Sequence, residues 1–330
     1  MMKKFCISIL AVAALASCTK SELAYTEQDS EIKLAPVTSM TTKANVYGSI
    51  DGTTYPQAED FRVTAYWNDE HKVYLNNVIF AYDTDSKMWA GDGQSYYWPK
   101  NGYLRFGCYS PASVTGVTHD VDNDTYSVNY TQTNDTKFTK DFMLAKLTAP
   151  HTAAEEVPVV FKHALSWISI KVKAKDDVAA GAFAIHDVII NEVKTKGKLV
   201  ADMKDGIDYS EWSDQSTALP YNVVSKNGGL PLSKEARFVE DHKYGTVVIP
   251  QVPTSLTIKY TQKEINGSAE LTNQTVTIPL NLSSEAKTNI WEPGKHYTYT
   301  VIFSLDEILM NPSVTDWEEV EVDKNVEKLY

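Results

Sequence analysis

The sequence predicts an all-β protein built as two tandem antiparallel sandwich domains, on three observations. Short segments rich in valine, isoleucine, threonine and tyrosine alternate with a period of two, and few stretches keep helical spacing. Glycine-bearing turn signals separate these segments: Asp51-Gly52, Gly91-Asp92-Gly93, Asn101-Gly102, Asn227-Gly228-Gly229 and Asn266-Gly267. A chain of 330 residues is long enough for two hydrophobic cores.

The N-terminal elements come first. Lys3 and Lys4 precede an apolar run from Phe5 to Ala16, too short to span a bilayer and suited to an export signal over residues 1–17. Leu15-Ala16-Ser17-Cys18 resembles the lipobox of bacterial lipoproteins, which implies acylation of Cys18 and a lipid anchor in the outer membrane. The alternative is ordinary cleavage after Ala14-Leu15-Ala16, with Cys18 incidental. Residues 18–43 read as a polar tether with one short first strand, its apolar residues clearest at Ile32, Leu34 and Val37. Cys6 leaves with the signal and Cys18 takes lipid, so Cys108 has no intrachain disulfide partner. The net charge is −12, and −14 once Lys3 and Lys4 are lost. Such a surface repels nucleic acid and anionic headgroups, so lipid and not charge is the expected membrane tie.

The first domain is assigned to 44–156 and the second to 157–330, the boundary resting on Pro150, the polar HTAAEE run and Pro158. In FRVTAYW, Phe61, Val63, Ala65 and Trp67 share one face of a strand. Ile168, Ile170 and Val172 do the same, as do Val276, Ile278, Leu280 and Leu282, and then Tyr297, Tyr299, Val301 and Phe303. The polar stretch 112–139 reads as a long connection or irregular hairpin of the first domain.

Chemistry is hard to find. The seven histidines are scattered singly, with no metal-ligand spacing, and no nucleophile elbow, P-loop or dinucleotide fingerprint occurs. No cofactor, metal or catalytic residue is therefore expected. Asp120, Asp122 and Asp124 resemble the start of a calcium loop, but Thr125 and Thr131 stand where glycine and the closing glutamate belong, which favours a solvated acidic loop. The pairs Glu59-Asp60 and Glu318-Glu319 lack a basic or nucleophilic partner. Tyr96, Tyr97, Trp98, Tyr103, Phe106 and Tyr109 form an aromatic cluster, read first as core packing and second as a platform for a glycan.

Several segments in order along the chain resemble the fimbrillin family of Bacteroidales, lipoprotein-derived subunits of type V pili. They are Tyr97-Trp98-Pro99, the strand LRFGCYSP over Leu104–Pro111, and Asp141-Phe142-Met143-Leu144-Ala145. Val159 to Ser166 (VVFKHALS), Trp291 to Tyr299 (WEPGKHYTY) and Val314-Thr315-Asp316-Trp317 complete the series. His163, inside one of these segments, reads as a core or hydrogen-bonded histidine, and Trp291-Glu292-Pro293-Gly294 as a turn.

The resemblance implies two transthyretin-like sandwiches and a cell-surface pilus subunit that supports adhesion. In such subunits a protease cuts after a basic residue and removes the first strand, and the C-terminal segment of another subunit fills the groove. Here the processing site would be Lys43-Ala44, where the family often has arginine, and a solvated loop lysine is the alternative reading. The donor candidates are Val314, Val320, Val322 and Val326, interspersed with Glu318, Glu319, Glu321, Asp323 and Lys324; the same residues suit a charge-blunted edge strand of the chain's own second domain. The implied partners are other fimbrillin subunits in a head-to-tail polymer. A tip or anchor subunit, and a monomeric lipoprotein that binds glycan or another ligand, stand as alternatives to the stalk role.

Overall fold

In the computed structural model, residues 30–38, 55–68, 72–120, 123, 125–132, 141–150, 156–202, 212–239, 246–263, 269–281 and 290–316 are described, and every regular element among them is a strand. The first nine are β1 (Leu34–Thr38), β2 (Phe61–Trp67), β3 (Lys72–Asp83), β4 (Met88–Gly91), β5 (Tyr103–Ser110), β6 (Val117–Asp120), β7 (Thr125–Thr131), β8 (Met143–Pro150) and β9 (Val157–His163). Seven of them close into a barrel in the order β1-β4-β3-β2-β5-β8-β9.

Closure is uneven. β8 meets β9 only through Met143 with His163 and Leu144 with Lys162, and β1 meets β4 only where Leu34 faces Trp89. The barrel is in effect a five-stranded antiparallel sheet covered by a two-stranded parallel leaf, β1 on β9. Its core takes the alternating residues of each strand: Phe61, Val63 and Ala65 of β2, Leu104, Phe106 and Cys108 of β5, Val159 and Phe161 of β9. Burial raises the Cys108 thiol far above its ordinary pKa, so it packs as a small apolar group.

The second body is a sandwich. Its strands are β10 (Ser166–Ala174), β11 (Phe183–Asp202), β12 (Ser213–Pro231), β13 (Arg237–Phe238), β14 (Thr246–Val248), β15 (Ser255–Gln262), β16 (Leu271–Pro279), β17 (Lys295–Phe303) and β18 (Ile308–Asp316). One sheet runs β13-β10-β17-β18 with β14 also on β10; the other runs β16-β15-β11-β7-β6 with β12 also on β11. Ile168, Ile170 and Val172 from the first sheet and Ile185, Val188 and Ile190 from the second meet in one core, joined by Tyr297, Tyr299, Val301 and Phe303. The faces expected of β10 and β17 meet in this core; of the 276–282 set, Ile278 and Leu280 lie in it and Val276 packs against it, while Leu282 is outside the described residues.

Three placements differ from the sequence reading. β9, expected to open the second domain, completes the barrel, and the chain passes between the bodies at Ala164-Leu165. The polar stretch after Ala112 does hold a hairpin, β6-β7, but this hairpin extends the second body's sheet: Thr125–Thr131 pair with Lys196–Asp202 of β11. Asn227-Gly228-Gly229, expected as a turn, lies inside β12 as a bulge. Leu230 faces Ile185 and Ser225 faces Asp187, so the extra β12 residues loop out opposite His186. Gly229 has φ of 69°, and a Cβ there would come within 3.0 Å of the Ala184 and His186 side chains.

The two bodies share a buried joint of Tyr109, Phe142, Leu144, Ala164, Leu165, Trp167, Trp212 and their neighbours. Polar groups tie the joint together and brace the body on either side of it. The Trp212 indole N–H donates to the Ala164 carbonyl at 3.0 Å, and the Tyr126 hydroxyl donates to the Gly107 carbonyl of the barrel at 3.1 Å. The Gln132 side-chain amide donates to the Val247 carbonyl (2.8 Å) and accepts from the Ile249 N–H (3.1 Å). Asp141 Oδ2 and His163 Nδ1 lie 2.5 Å apart in the interior.

Beside this joint the His296 ring stacks on Trp167, with 3.4 Å between ring centroids, and its Nε2 lies 2.9 Å from the Ser169 hydroxyl. Burial, with a smaller contribution from Lys171, lowers the His296 pKa to about 3. Below the ordinary value near 6.5 the unfolded chain takes a proton that the folded chain refuses, so stability falls as pH drops from about 6.5 towards 3. We expect His296→Phe, which keeps a stacked ring, to remove a few kcal/mol of this acid sensitivity. Urea melts of both proteins at pH 7 and pH 4 check it through the difference in their pH dependence.

Candidate functional site: the seat of the first strand

The first strand is the element whose residues do the most for closure and whose own support is thinnest. Residues 30–36 alternate in burial: Ile32, Leu34 and Pro36 point inward, and Glu31, Lys33 and Ala35 are partly exposed. Ile32 and Leu34 have no exposed surface, and they sit over Trp89, Trp98, Val157, Val159 and Phe161 of the barrel core. Tyr55 lines the same floor, 5.0 Å from Trp89 and 5.5 Å from Phe161 between ring centroids.

Two walls hold the strand. On one side β1 runs parallel to β9, Leu34 opposite Val157 through Thr38 opposite Phe161, and the Val157 N–H donates to the Lys33 carbonyl at 3.0 Å. On the other side the segment Tyr96–Trp98 takes the preceding residues: the Ile32 N–H donates to the Tyr96 carbonyl at 2.7 Å and the Trp98 N–H to the Ser30 carbonyl at 3.0 Å, with Glu31 facing Tyr97. Tyr97 itself is 46% exposed, and its carbonyl accepts the Tyr74 hydroxyl at 2.7 Å. Taking this strand away uncovers an apolar trough flanked by unpaired backbone N–H and C=O groups of β9, a template for another strand.

The remaining sequence-predicted residues divide into those the structure places and those it does not. Cys18, Lys43, Ala44, Val320, Val322 and Val326 lie outside the described residues. Val314 lies in β18 at the edge of the second body, opposite Tyr297, and packs against the second core. Of the acidic triplet, Asp120 accepts the Asn123 N–H at 3.1 Å, while Asp122 and Asp124 are outside the described residues. No cluster of His, Cys, Asp or Glu arranged to hold a metal occurs among the described residues. Trp98, Phe106 and Tyr109 are core residues, as the packing reading expects. His163 is hydrogen-bonded to Asp141; in the Trp291–Gly294 turn Gly294 has φ of 67° and the Trp291 indole N–H donates to the Tyr299 hydroxyl at 2.8 Å. A crevice between barrel and hairpin, lined by Tyr66, Arg105, His119, Tyr126 and Lys146, offers about 10 Å³, room for one water and not for a sugar ring.

A family model described as fimbrillin-like matches residues 26–317, from ahead of the first strand to just past β18. This chain belongs to the fimbrillin-like family. Among solved structures it is similar to a fimbrial protein from Bacteroides vulgatus ATCC 8482, at 15% identity over 87% of this chain and 99% of that one, with a TM-score of 0.57. Proteins assigned to cell adhesion from Bacteroides uniformis ATCC 8492 (16% identity, 87% and 99% covered, TM-score 0.52) and Bacteroides ovatus ATCC 8483 (16%, 90% and 100%, 0.51) share the fold. No curated protein matches the chain.

In this fimbrillin-like chain the seat of β1 has detail that the sequence alone does not supply. Alternation identifies the strand but neither wall: the sequence puts the parallel partner in the other domain, and Tyr96–Trp98 reads there as part of an aromatic cluster and of the Tyr97-Trp98-Pro99 family motif, not as a strand's partner. The one available signal is the alternation in VPVVFKH, whose buried Val157, Val159 and Phe161 form one face.

Leu34→Ala removes a fully buried side chain from the middle of this seat. It should lower stability by about 2–5 kcal/mol, whereas Lys33→Ala, on the outer face, should change it by about 0.5 kcal/mol or less. Denaturant melts followed by tryptophan fluorescence compare the two.

Proposed function

We propose that this protein is a structural subunit of a cell-surface pilus, exported as a lipoprotein acylated at Cys18 and assembled by β-strand addition that supports adhesion. The observation that carries the reading is the seat of β1: a short strand, buried on its inner face, that closes the barrel through one parallel ladder and is followed five positions after Thr38 by Lys43. Family membership and the fimbrial and adhesion descriptions of similar structures support it. In this reading a protease cuts between Lys43 and Ala44, β1 leaves, and the tail of another subunit restores the β9 ladder. The partners are further subunits joined head to tail, with the outer membrane held through lipid before release. The protein works by binding and not by catalysis, and its two bodies act as the tandem transthyretin-like sandwiches the family resemblance implies.

A second reading has one observation of its own. Val314 is held in β18, so a donor segment would have to begin after Asp316. A tip or anchor subunit, keeping its first strand and its lipid, needs no donor tail.

Intact mass of the protein from its native envelope, beside a Lys43→Ala variant, separates the readings. A mature N-terminus at Ala44, lost in the variant together with a ladder of polymers on gels, is the expected result. An acylated chain beginning at Cys18 with no polymer would overturn the pilin reading in favour of an anchor or monomeric lipoprotein.

A further inference from the structure

The outer face of the second body's larger sheet carries a charge pattern that the pilin reading does not use. Lys194, Lys196 and Lys198 of β11 fall at alternate positions among the buried Val193, Thr195, Gly197 and Leu199, so the three ammonium groups leave one side of one strand. At the rise of an extended strand, successive lysines are about 7 Å apart along it. That is inside a Debye length at physiological salt, so the three repel one another, and the stripe is a local reversal of sign on a chain of net charge −12.

A wet sheet face ordinarily intersperses both signs of charge. Here the register sets uncharged residues beside the lysines. Thr131 and Asn129 of β7 stand opposite Lys196 and Lys198 on one side, and Ala218, Ser216 and Ser213 of β12 stand opposite Lys194, Lys196 and Lys198 on the other; all five are exposed. Three acids adjoin the stripe: Glu192 ahead of it, Asp214 in the β12 bulge between Ser213 and Ser216, and Asp202 beyond Val200 at its far end. Among the described residues none of the three lysines is ion-paired, to these acids or to any other.

The chemistry of the stripe selects among polyanions. It holds no arginine, whose planar fork would grip a single phosphate in a fixed geometry. The aromatic residues of these strands, Tyr126, Tyr130 and Tyr221, are buried on the opposite face, so the bases of a single-stranded nucleic acid find no stacking platform beside the lysines. A bilayer surface asks for an apolar anchor, and the residues next in line on β11 are a single valine, Val200, and then Asp202, which anionic headgroups would repel. What remains is a narrow run of flexible point charges bordered by hydroxyl and amide groups. It fits a linear sugar chain bearing acidic groups: the lysine stems adapt to the spacing of the acids, while Thr131, Asn129 and Ser216 offer hydrogen bonds to ring hydroxyls.

We propose that the stripe of Lys194, Lys196 and Lys198 binds a linear acidic polysaccharide, rich in sulfate and carboxylate groups, that lies along β11. The contacts are few and exposed, so one subunit binds modestly and salt screens the attraction. Repeated subunits at a cell surface would multiply it. The stripe lies on a different strand and a different body from the β1 seat, so it asks nothing of strand exchange, and its failure would leave the pilin reading as it stands.

The test is calorimetric binding of a heparin oligosaccharide to the full-length protein and its variants, at low and at physiological salt. The wild-type protein should bind, and more weakly at the higher salt. Lys196→Gln should weaken binding about fivefold, and Lys194→Gln, Lys196→Gln and Lys198→Gln together about a hundredfold. Lys196→Arg, which keeps the charge, and Lys234→Gln, in the exposed turn between β12 and β13, should leave it unchanged. Urea melts verify that each variant is folded. Equal binding by the wild-type protein and the triple variant would put the polysaccharide elsewhere and overturn the assignment, as would no binding by the wild-type protein. Capture of phosphatidylserine vesicles, or self-association, in place of the oligosaccharide and lost in the triple variant, would overturn it in favour of a membrane or a second copy.

Discussion

The parallel ladder between β1 and β9 is the constraint on which closure of the barrel depends. β9 touches β8 at two positions at one end and otherwise has β1 as its partner, while β4 ends the antiparallel sheet with Leu34 opposite Trp89. Two fully buried aliphatic side chains, each worth about 1.5–3 kcal/mol on burial, belong to that one segment, at Ile32 and Leu34. The net gain from its hydrogen bonds is of the order of 1 kcal/mol each, but an unmet buried group costs more than a made bond returns. Emptying the seat exposes the apolar floor to water and gives up these bonds, so a filled seat is favoured. Any strand that satisfies the same edge and floor is a competitor for β1, and its affinity is limited by how well it matches two buried positions.

The joint between the bodies explains why the seat is held rigidly to the rest of the molecule. β11 pairs with β15 through its first half and with β7, from the hairpin between β5 and β8, through its second. One sheet is thus built from both halves of the chain, and the barrel's outer wall packs onto it through Tyr126 and its bond to Gly107. From the other direction, β9 reaches β10 through Ala164 and Leu165, both buried in the joint. The seat and the second sandwich are linked by a covalent step of two residues and by a shared sheet. A force on β9 is passed to β10 and then to β17 along a parallel ladder from Trp167 to Ala174.

Alternation is legible wherever a strand has one wet face and one packed face. β17 is the clearest case, since Tyr297, Tyr299, Val301 and Phe303 are all fully buried between partly exposed neighbours. What alternation does not encode is the partner. The β6-β7 hairpin is threonine-, serine- and asparagine-rich because it forms a sheet end, and nothing local says whose sheet it is. β9 reads as a strand from VPVVFKH, but its allegiance is set by β1, more than a hundred residues earlier in the chain. The Asn227-Gly228-Gly229 bulge shows the same limit from the turn side: the glycines do signal positive φ, which Gly229 adopts, yet the chain continues in the same direction because β11 supplies partners on both sides of the loop-out. The candidate site is half visible for the same reason, as an inward face of Ile32 and Leu34 with no walls.

The two ends of the fold are built for opposite behaviour. β18, the last described strand, pairs with β17 along its whole length from Ile308 to Asp316, and Met310 and Val314 face the second core. Detaching it uncovers that core, so the last described strand is firmly held. β1 pairs along its length on one side only, and its removal leaves the five antiparallel strands β4-β3-β2-β5-β8 still paired with one another. A closed barrel has no edge to offer a neighbour, and here β1 is the strand that covers the edge of β9. Loss of β1 would therefore uncover one edge of β9 without dissolving the antiparallel sheet beside it.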